Sequence, residues 1–142
     1  MKPIGYWLNR TDEALTASMN AMLDAYGLTR LAWQVLNAVK DSPQATDTDI
    51  LTTLAAHADD AHVTAAIDTL LTDGWATRPS PTRLTLTDDG RARLTEVAER
   101  VAAFRDLSTT GISHEEYRNA VTVLERITHN LETAPKAQPS SP

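Results

Sequence analysis

Apolar residues recur at steps of three and four along most of the chain, the spacing that lines one face of a helix. Leu15, Met19, Met22, Leu23 and Tyr26 mark a first helix, with Gly27 placed to end it. Leu31, Ala32, Val35, Leu36 and Val39 give a second its stripe, and Asp41, Ser42 and Pro43 close it. Thr46 stands three residues before Asp49, a capping-box spacing that opens a short third helix carrying Ile50, Leu51, Leu54 and Ala55 and ending near Ala58. Asp59 and Asp60 suit the start of a fourth helix, whose buried side is Val63, Ile67, Leu70 and Leu71 and whose stop is Asp73 and Gly74.

The period then changes. Trp75 to Arg78 and Arg83 to Thr87 are short alternating or β-branched runs, and Pro79, Ser80, Pro81 and Thr82 between them predict a hairpin with a brief turn. Asp88, Asp89 and Gly90 lead into a long fifth helix bearing Leu94, Val97, Ala98, Val101 and Phe104, which stops around Thr109 to Gly111. Ser113 and Glu116 form a second capping box, opening a sixth helix striped by Tyr117, Ala120, Val121, Leu124, Ile127 and Leu131. Residues 134–142, rich in Pro and Ser, have nothing to bury and predict a loose tail. No internal repeat is present.

Helix, helix, short helix, helix, hairpin is the order of a winged helix-turn-helix, with the fourth helix as recognition helix and the hairpin as wing. The predicted fold class is therefore mainly α: about six helices plus a two-stranded wing, with long N- and C-terminal helices outside the winged module. The terminal stripes are more than a domain of this size covers alone, so they predict a homodimer.

Composition narrows the chemistry. The 142 residues include no cysteine, which excludes disulfides, thiolate metal sites and a cysteine nucleophile and suits a reducing cytoplasm. No run approaches the ~20 apolar residues of a membrane span, and the N-terminal stretch lacks the apolar core of a signal peptide. The expectation is a cytoplasmic protein with no membrane partner. Net charge is −6, against the usual basic balance of nucleic-acid binders, but its distribution is uneven. Residues 1–73 hold ten acids and four Lys or Arg, whereas residues 74–105 hold six Arg against four acids.

That surplus makes Arg78, Arg83, Arg91 and Arg93 candidates for phosphate contact beside a groove, the alternative being a solvated face on a hairpin and helix start. The side of the fourth helix left free by its stripe carries Ala61, His62, Thr64, Ala65 and Asp68. His62 and Thr64 suit base-edge readout or are plain exposed positions, while Asp59 and Asp60 suit a helix cap better than DNA. His57, His62, His114 and His129 have no metal-ligand spacing, no hydroxyl sits in a catalytic motif, and no glycine-rich phosphate loop exists. No enzyme activity, metal or cofactor is expected.

Four passages resemble the MarR-type transcriptional regulators, over roughly residues 6 to 132. Leu31-Ala32-Trp33-Gln34-Val35-Leu36 is similar to that family's second helix, and Leu70-Leu71-Thr72-Asp73-Gly74-Trp75 to the end of its recognition helix. Leu84 to Arg91 resembles its wing return and fifth-helix start; Ile112 to Tyr117, with Leu124-Glu125-Arg126 and Asn130-Leu131, resembles its last helix. The resemblance implies a triangular dimer joined by its terminal helices, two winged lobes on a pseudo-palindromic double-stranded DNA operator, and release by a small ligand. It divides the chain into a single domain over 1–133, with the winged helix-turn-helix at 29–87, dimerisation helices at 4–27 and 88–133, and the tail at 134–142. Dimer contacts fall to Leu15, Met19, Tyr117, Val121, Leu124, Ile127 and Leu131; Trp7, Tyr26 and Trp33 line a site for a small aromatic ligand or serve core packing.

The sequence also departs from the family. Its wing is short, with only Arg78 and Arg83 flanking the turn where an Asp-x-Arg motif is common, and Ala65 stands at a position that is often basic. The function expected is a sequence-specific, ligand-responsive DNA-binding regulator. The alternative is a winged-helix dimer without DNA binding that acts as a protein-interaction or ligand-binding module.

Overall fold

In a computed structural model, which describes residues 1–135, six helices and a two-stranded antiparallel hairpin follow one another in the predicted order. Residues 136–142, most of the expected tail, lie outside the described residues. The helices are α1 (Ile4–Asp24), α2 (Arg30–Asp41), α3 (Asp47–Thr53), α4 (Asp60–Thr72), α5 (Asp88–Ser108) and α6 (His114–Thr133); the strands are β1 (Ala76–Thr77) and β2 (Thr85–Leu86). Met1–Ala102 forms one compact unit and the chain from Ala103 onward a second, the boundary falling inside α5.

Short-range chemistry sets most boundaries. Thr46 and Ser113 cap α3 and α6 in full capping boxes with Asp49 and Glu116, and Thr29 caps α2 by accepting from Ala32 N–H. After α1 the chain turns at Gly27, φ +70°, where Leu28 N–H donates to Leu23 O at 3.0 Å and Gly27 N–H to Asp24 O at 2.9 Å. The same pattern ends α4 at Gly74, φ +80°, with Trp75 N–H on Leu70 O at 3.0 Å. Both are left-handed turns that a side chain would strain. The first helix therefore ends three residues before Gly27.

Two elements are shorter than their patterns suggest. The third helix closes at Thr53 instead of near Ala58, because the Leu54 carbonyl takes the N–H groups of both His57 and Ala58 and curls the chain toward α4. The hairpin ladder spans only Ala76↔Leu86 and Thr77↔Thr85. Pro79 and Pro81 have no N–H to extend it. The return strand instead reaches the other way: Thr46 bridges Arg83, and Leu84 N–H donates to Ala45 O at 3.0 Å, tying the segment before α3 to the wing.

The core of the first unit lies among α2, α4, the hairpin and the start of α5. Leu23, Leu36, Ile50, Val63, Leu70, Trp75, Leu84 and Val97 are fully buried there. At the wing base Thr87 caps α5: its hydroxyl donates to Gly74 O at 2.7 Å and accepts from Gly90 N–H at 2.8 Å. Gly90 lies against the Trp75 carbonyl so closely that a Cβ there would collide with it. A single threonine and a single glycine thus lock α5 to the end of α4.

The second unit is unlike the first. No residue of α6 is buried: Tyr117, Val121, Val123 and Leu131 are exposed, and Leu124 and Ile127 are half-buried.

Candidate nucleic-acid interface

The fourth helix buries Val63, Ile67 and Leu70 and turns Ala61, His62, Thr64, Ala65 and Asp68 outward. All five α4 positions expected at a DNA interface, His62 and Thr64 for base edges among them, share this exposed face. Asp59 is the N-cap, accepting from His62 N–H at 2.9 Å, and the same oxygen holds the His62 ring Nδ1 at 2.6 Å. The backbone N–H of His62, followed by its ring, holds the Asp59 carboxyl below the usual carboxylate range. One imidazole nitrogen of His62 is thereby occupied, while Nε2 makes no hydrogen bond among the described residues. The hydroxyls of Thr69 and Thr72 donate to their own helix, at Ala65 O and Asp68 O, whereas Thr64 makes no side-chain hydrogen bond among the described residues. Thr64 is the hydroxyl on this face left to bond a partner.

The four arginines separate into two pairs. Arg78 is half-buried and bidentate on Asp47 at the start of α3, Nη1 to Oδ1 at 2.7 Å and Nη2 to Oδ2 at 2.9 Å, with Nη1 also on Pro81 O at 3.3 Å. The hydrogen bonds from Arg78 hold the Asp47 carboxyl below its ordinary range, and the Arg78 guanidinium is raised in turn, chiefly by Asp47 and further by the charge of Asp68. Its charge is matched from within the lobe. Arg93 is half-buried too, its guanidinium stacked 3.9 Å from the centroid of the Trp75 ring. Arg83 and Arg91 are exposed and form no ion pair among the described residues. Of the four candidates, these two present uncommitted charge among the described residues.

Reading the sequence for charge surplus passed over Arg30. It stands at the first turn of α2 in a poorly basic stretch, yet it lines a cleft of about 680 Å³ with Leu31, Gln34, His57, Asp59 and His62, beside the N-terminus of α4. The signal available was its place directly after the Thr29 cap, at the positive end of a helix. Trp7, Tyr26 and Trp33 are not gathered at one point of the chain. Trp7 is exposed and edge-on to Tyr6, while Tyr26 and Trp33 lie half-buried against the core. Because α1 is one continuous helix, Trp7 stands ~25 Å along its axis from the end that leads to Tyr26. None of the three lines this cleft.

Solved structures share this arrangement over most of their length. The reduced form of MarR from E. coli is 19% identical, with 89% of this chain and 94% of that chain covered and a TM-score of 0.71. The transcriptional repressor CouR, bound to p-coumaroyl-CoA, is 26% identical over 89% and 91%, with a TM-score of 0.72. Bordetella bronchiseptica BpsR, whose DNA binding is regulated by 6-hydroxynicotinic acid, is 22% identical over 89% and 94%, with a TM-score of 0.69. The fold is that of the MarR-type winged helix. At the level of sequence no family model and no curated protein matches. In the MarR-like fold α3 and α4 form the helix-turn-helix and the β1–β2 hairpin the wing. Here that wing is held back on α3 by the Arg78–Asp47 pair.

Proposed function

We propose that the chain is a sequence-specific DNA-binding transcriptional regulator of the MarR type, acting in the cytoplasm as a homodimer and answering to a small ligand. The observation that carries this reading is the exposed face of α4, with its one uncommitted hydroxyl, mounted on a MarR-like winged lobe that also exposes Arg83 and Arg91. On this reading α4 enters the major groove, where Thr64 and His62 offer groups to base edges beside Ala61, Ala65 and Asp68. Arg83 and Arg91, with Arg30 from α2, neutralise phosphates. Arg78 and Arg93 act indirectly, by holding the wing and α5 in place.

A second copy of the chain covers the apolar positions that this one leaves open. Those on α6 are Tyr117, Val121, Leu124, Ile127 and Leu131, and those on α1 are Leu15, which is exposed, and Met19, which is half-buried. Two lobes related by a two-fold axis suit a pseudo-palindromic double-stranded site. A small aromatic ligand sits against Tyr26 and Trp33, with any part played by Trp7 supplied from the second copy.

One observation favours a different reading. The free face of α4 carries no Lys or Arg, which suits a winged-helix dimer that binds proteins or ligands instead of DNA. A gel shift with DNA from upstream of its own gene separates the two. A discrete complex competed by the same fragment but not by unrelated DNA supports the regulator; no complex even at low salt, from a protein that is folded and dimeric, supports the module.

A further inference from the structure

His62 is the third residue of α4, with its side chain 75% exposed on the face that the helix turns outward. In a helix-turn-helix the N-terminal residues of the recognition helix are those that reach base edges. A carboxylate holds the His62 ring: Asp59 Oδ1 lies 2.9 Å from the backbone N of His62 and 2.6 Å from ring Nδ1. Capping α4 needs only the first of these bonds. The second settles where the ring proton lies. An ionised carboxylate can only accept, so Nδ1 carries the hydrogen, the reverse of the form a free histidine side chain prefers in water. Arg30 and Gln34 from α2 and His57 from the turn after α3 line the same cleft, and among the described residues none of them bonds the ring. In the neutral ring Nε2 therefore presents a bare lone pair.

A lone pair reads the major groove in one way. It bonds the exocyclic amines, adenine N6 or cytosine N4, and is repelled by the acceptors of guanine and thymine. The Thr64 hydroxyl, which both donates and accepts, has no such one-sidedness. We infer that Asp59 is a positioning residue that fixes the tautomer of His62, so that neutral His62 selects adenine or cytosine on the strand it faces by accepting from the exocyclic amine. The base contact rests on the DNA-binding reading; the fixed tautomer does not.

Both halves are tested on the full chain at pH 8, above the ordinary titration range of imidazole. Long-range proton–nitrogen NMR of the free protein reads the tautomer. The expected result is a protonated Nδ1 and a bare Nε2 in wild type, reverting to a protonated Nε2 in Asp59→Ser, which keeps a cap for α4. Duplexes selected from a randomised pool by wild type and by His62→Ala identify the base pair whose preference depends on His62. At that pair, removing the exocyclic amine, with purine for adenine or 2-pyrimidinone for cytosine, should weaken wild-type binding about five- to tenfold, since it leaves an acceptor unpaired. The same change should leave His62→Ala unaffected and have little effect on Asp59→Ser, and 7-deaza bases, which lack the N7 acceptor, should affect none of the three. A protonated Nε2 in wild type, a 7-deaza effect in place of the amine effect, or an Asp59→Ser protein that responds like wild type overturns the inference and leaves DNA binding standing. A selection with no base pair dependent on His62 overturns the base contact, and no complex with any duplex overturns it together with the DNA-binding reading.

Discussion

The Arg78–Asp47 pair offers the sharpest check on how the wing is held. Replacing both residues by Ala, singly and together, gives a double-mutant cycle for their interaction. Two charge-assisted hydrogen bonds at 2.7 and 2.9 Å favour a sizeable coupling, but the side chains retain 30% and 37% of their exposure. For unit charges about 4 Å apart, Coulomb attraction falls from about 4 kcal/mol at an effective dielectric of 20 to about 1 kcal/mol in water. Exposure on this scale places the pair toward the watery end, and holding two side chains in one geometry subtracts further, so a coupling of about 1 kcal/mol is expected. The Asp47 carboxyl is held below its ordinary range, so the contribution is fully present above the usual carboxylate pKa and is lost as pH falls through the lowered one. Urea unfolding at fixed protein concentration, at pH 7 and again near pH 3, reads both effects. A coupling under about 0.3 kcal/mol at pH 7, or one that survives acid unchanged, would refute the bracing role.

Gly90→Ala places a Cβ against a backbone carbonyl that cannot rotate away, so it should lower stability by roughly 1–3 kcal/mol, seen as a reduced urea midpoint at constant slope. Wild-type stability in this variant would mean that α5 is not seated on the end of α4. Leu124→Glu should shift the sedimenting species from dimer to monomer, since leaving a carboxylate unpaired in a closed interface costs roughly 3–5 kcal/mol. An unchanged mass would remove α6 from the dimer contact. A thermal-shift screen of phenolic and aromatic compounds should find a stabiliser whose effect is lost in Trp33→Ala; a ligand at about 100 times its dissociation constant adds about 2.7 kcal/mol. No shift across the screen would count against the site at Tyr26 and Trp33.

What the sequence discloses of this fold is whatever depends on neighbours a few residues apart. The Thr46/Asp49 and Ser113/Glu116 boxes are legible because a cap is made within one helical turn, and the glycines at 27 and 74 because a left-handed turn demands them. The α4 face follows from the spacing of Val63, Ile67 and Leu70. Charge commitment is another matter: Arg78 and Asp47 are 31 residues apart, and a count of arginines along the chain treats a matched guanidinium and a free one alike. Arg93 is hidden in the same way by Trp75, and Arg30 by the lack of any other cation in the nine residues on either side of it. Gly90 reads as a helix-start residue until the Trp75 carbonyl is placed beside it.

On the proposed function, this winged lobe binds DNA with phosphate contacts drawn from its uncommitted arginines. Titrating an operator fragment at several salt concentrations with wild type, Arg83→Ala, Arg78→Ala and Thr64→Ala tests it most directly. Each neutralised phosphate contributes about −0.9 to the slope of log K against log salt, so Arg83→Ala should flatten the slope by about one unit on every sequence. Arg78→Ala should leave the slope unchanged, and Thr64→Ala should alter sequence preference by ~1–3 kcal/mol. An unaltered slope for Arg83→Ala with a flattened one for Arg78→Ala would contradict the assignment of charge, and no binding by wild type at low salt would contradict the claim itself.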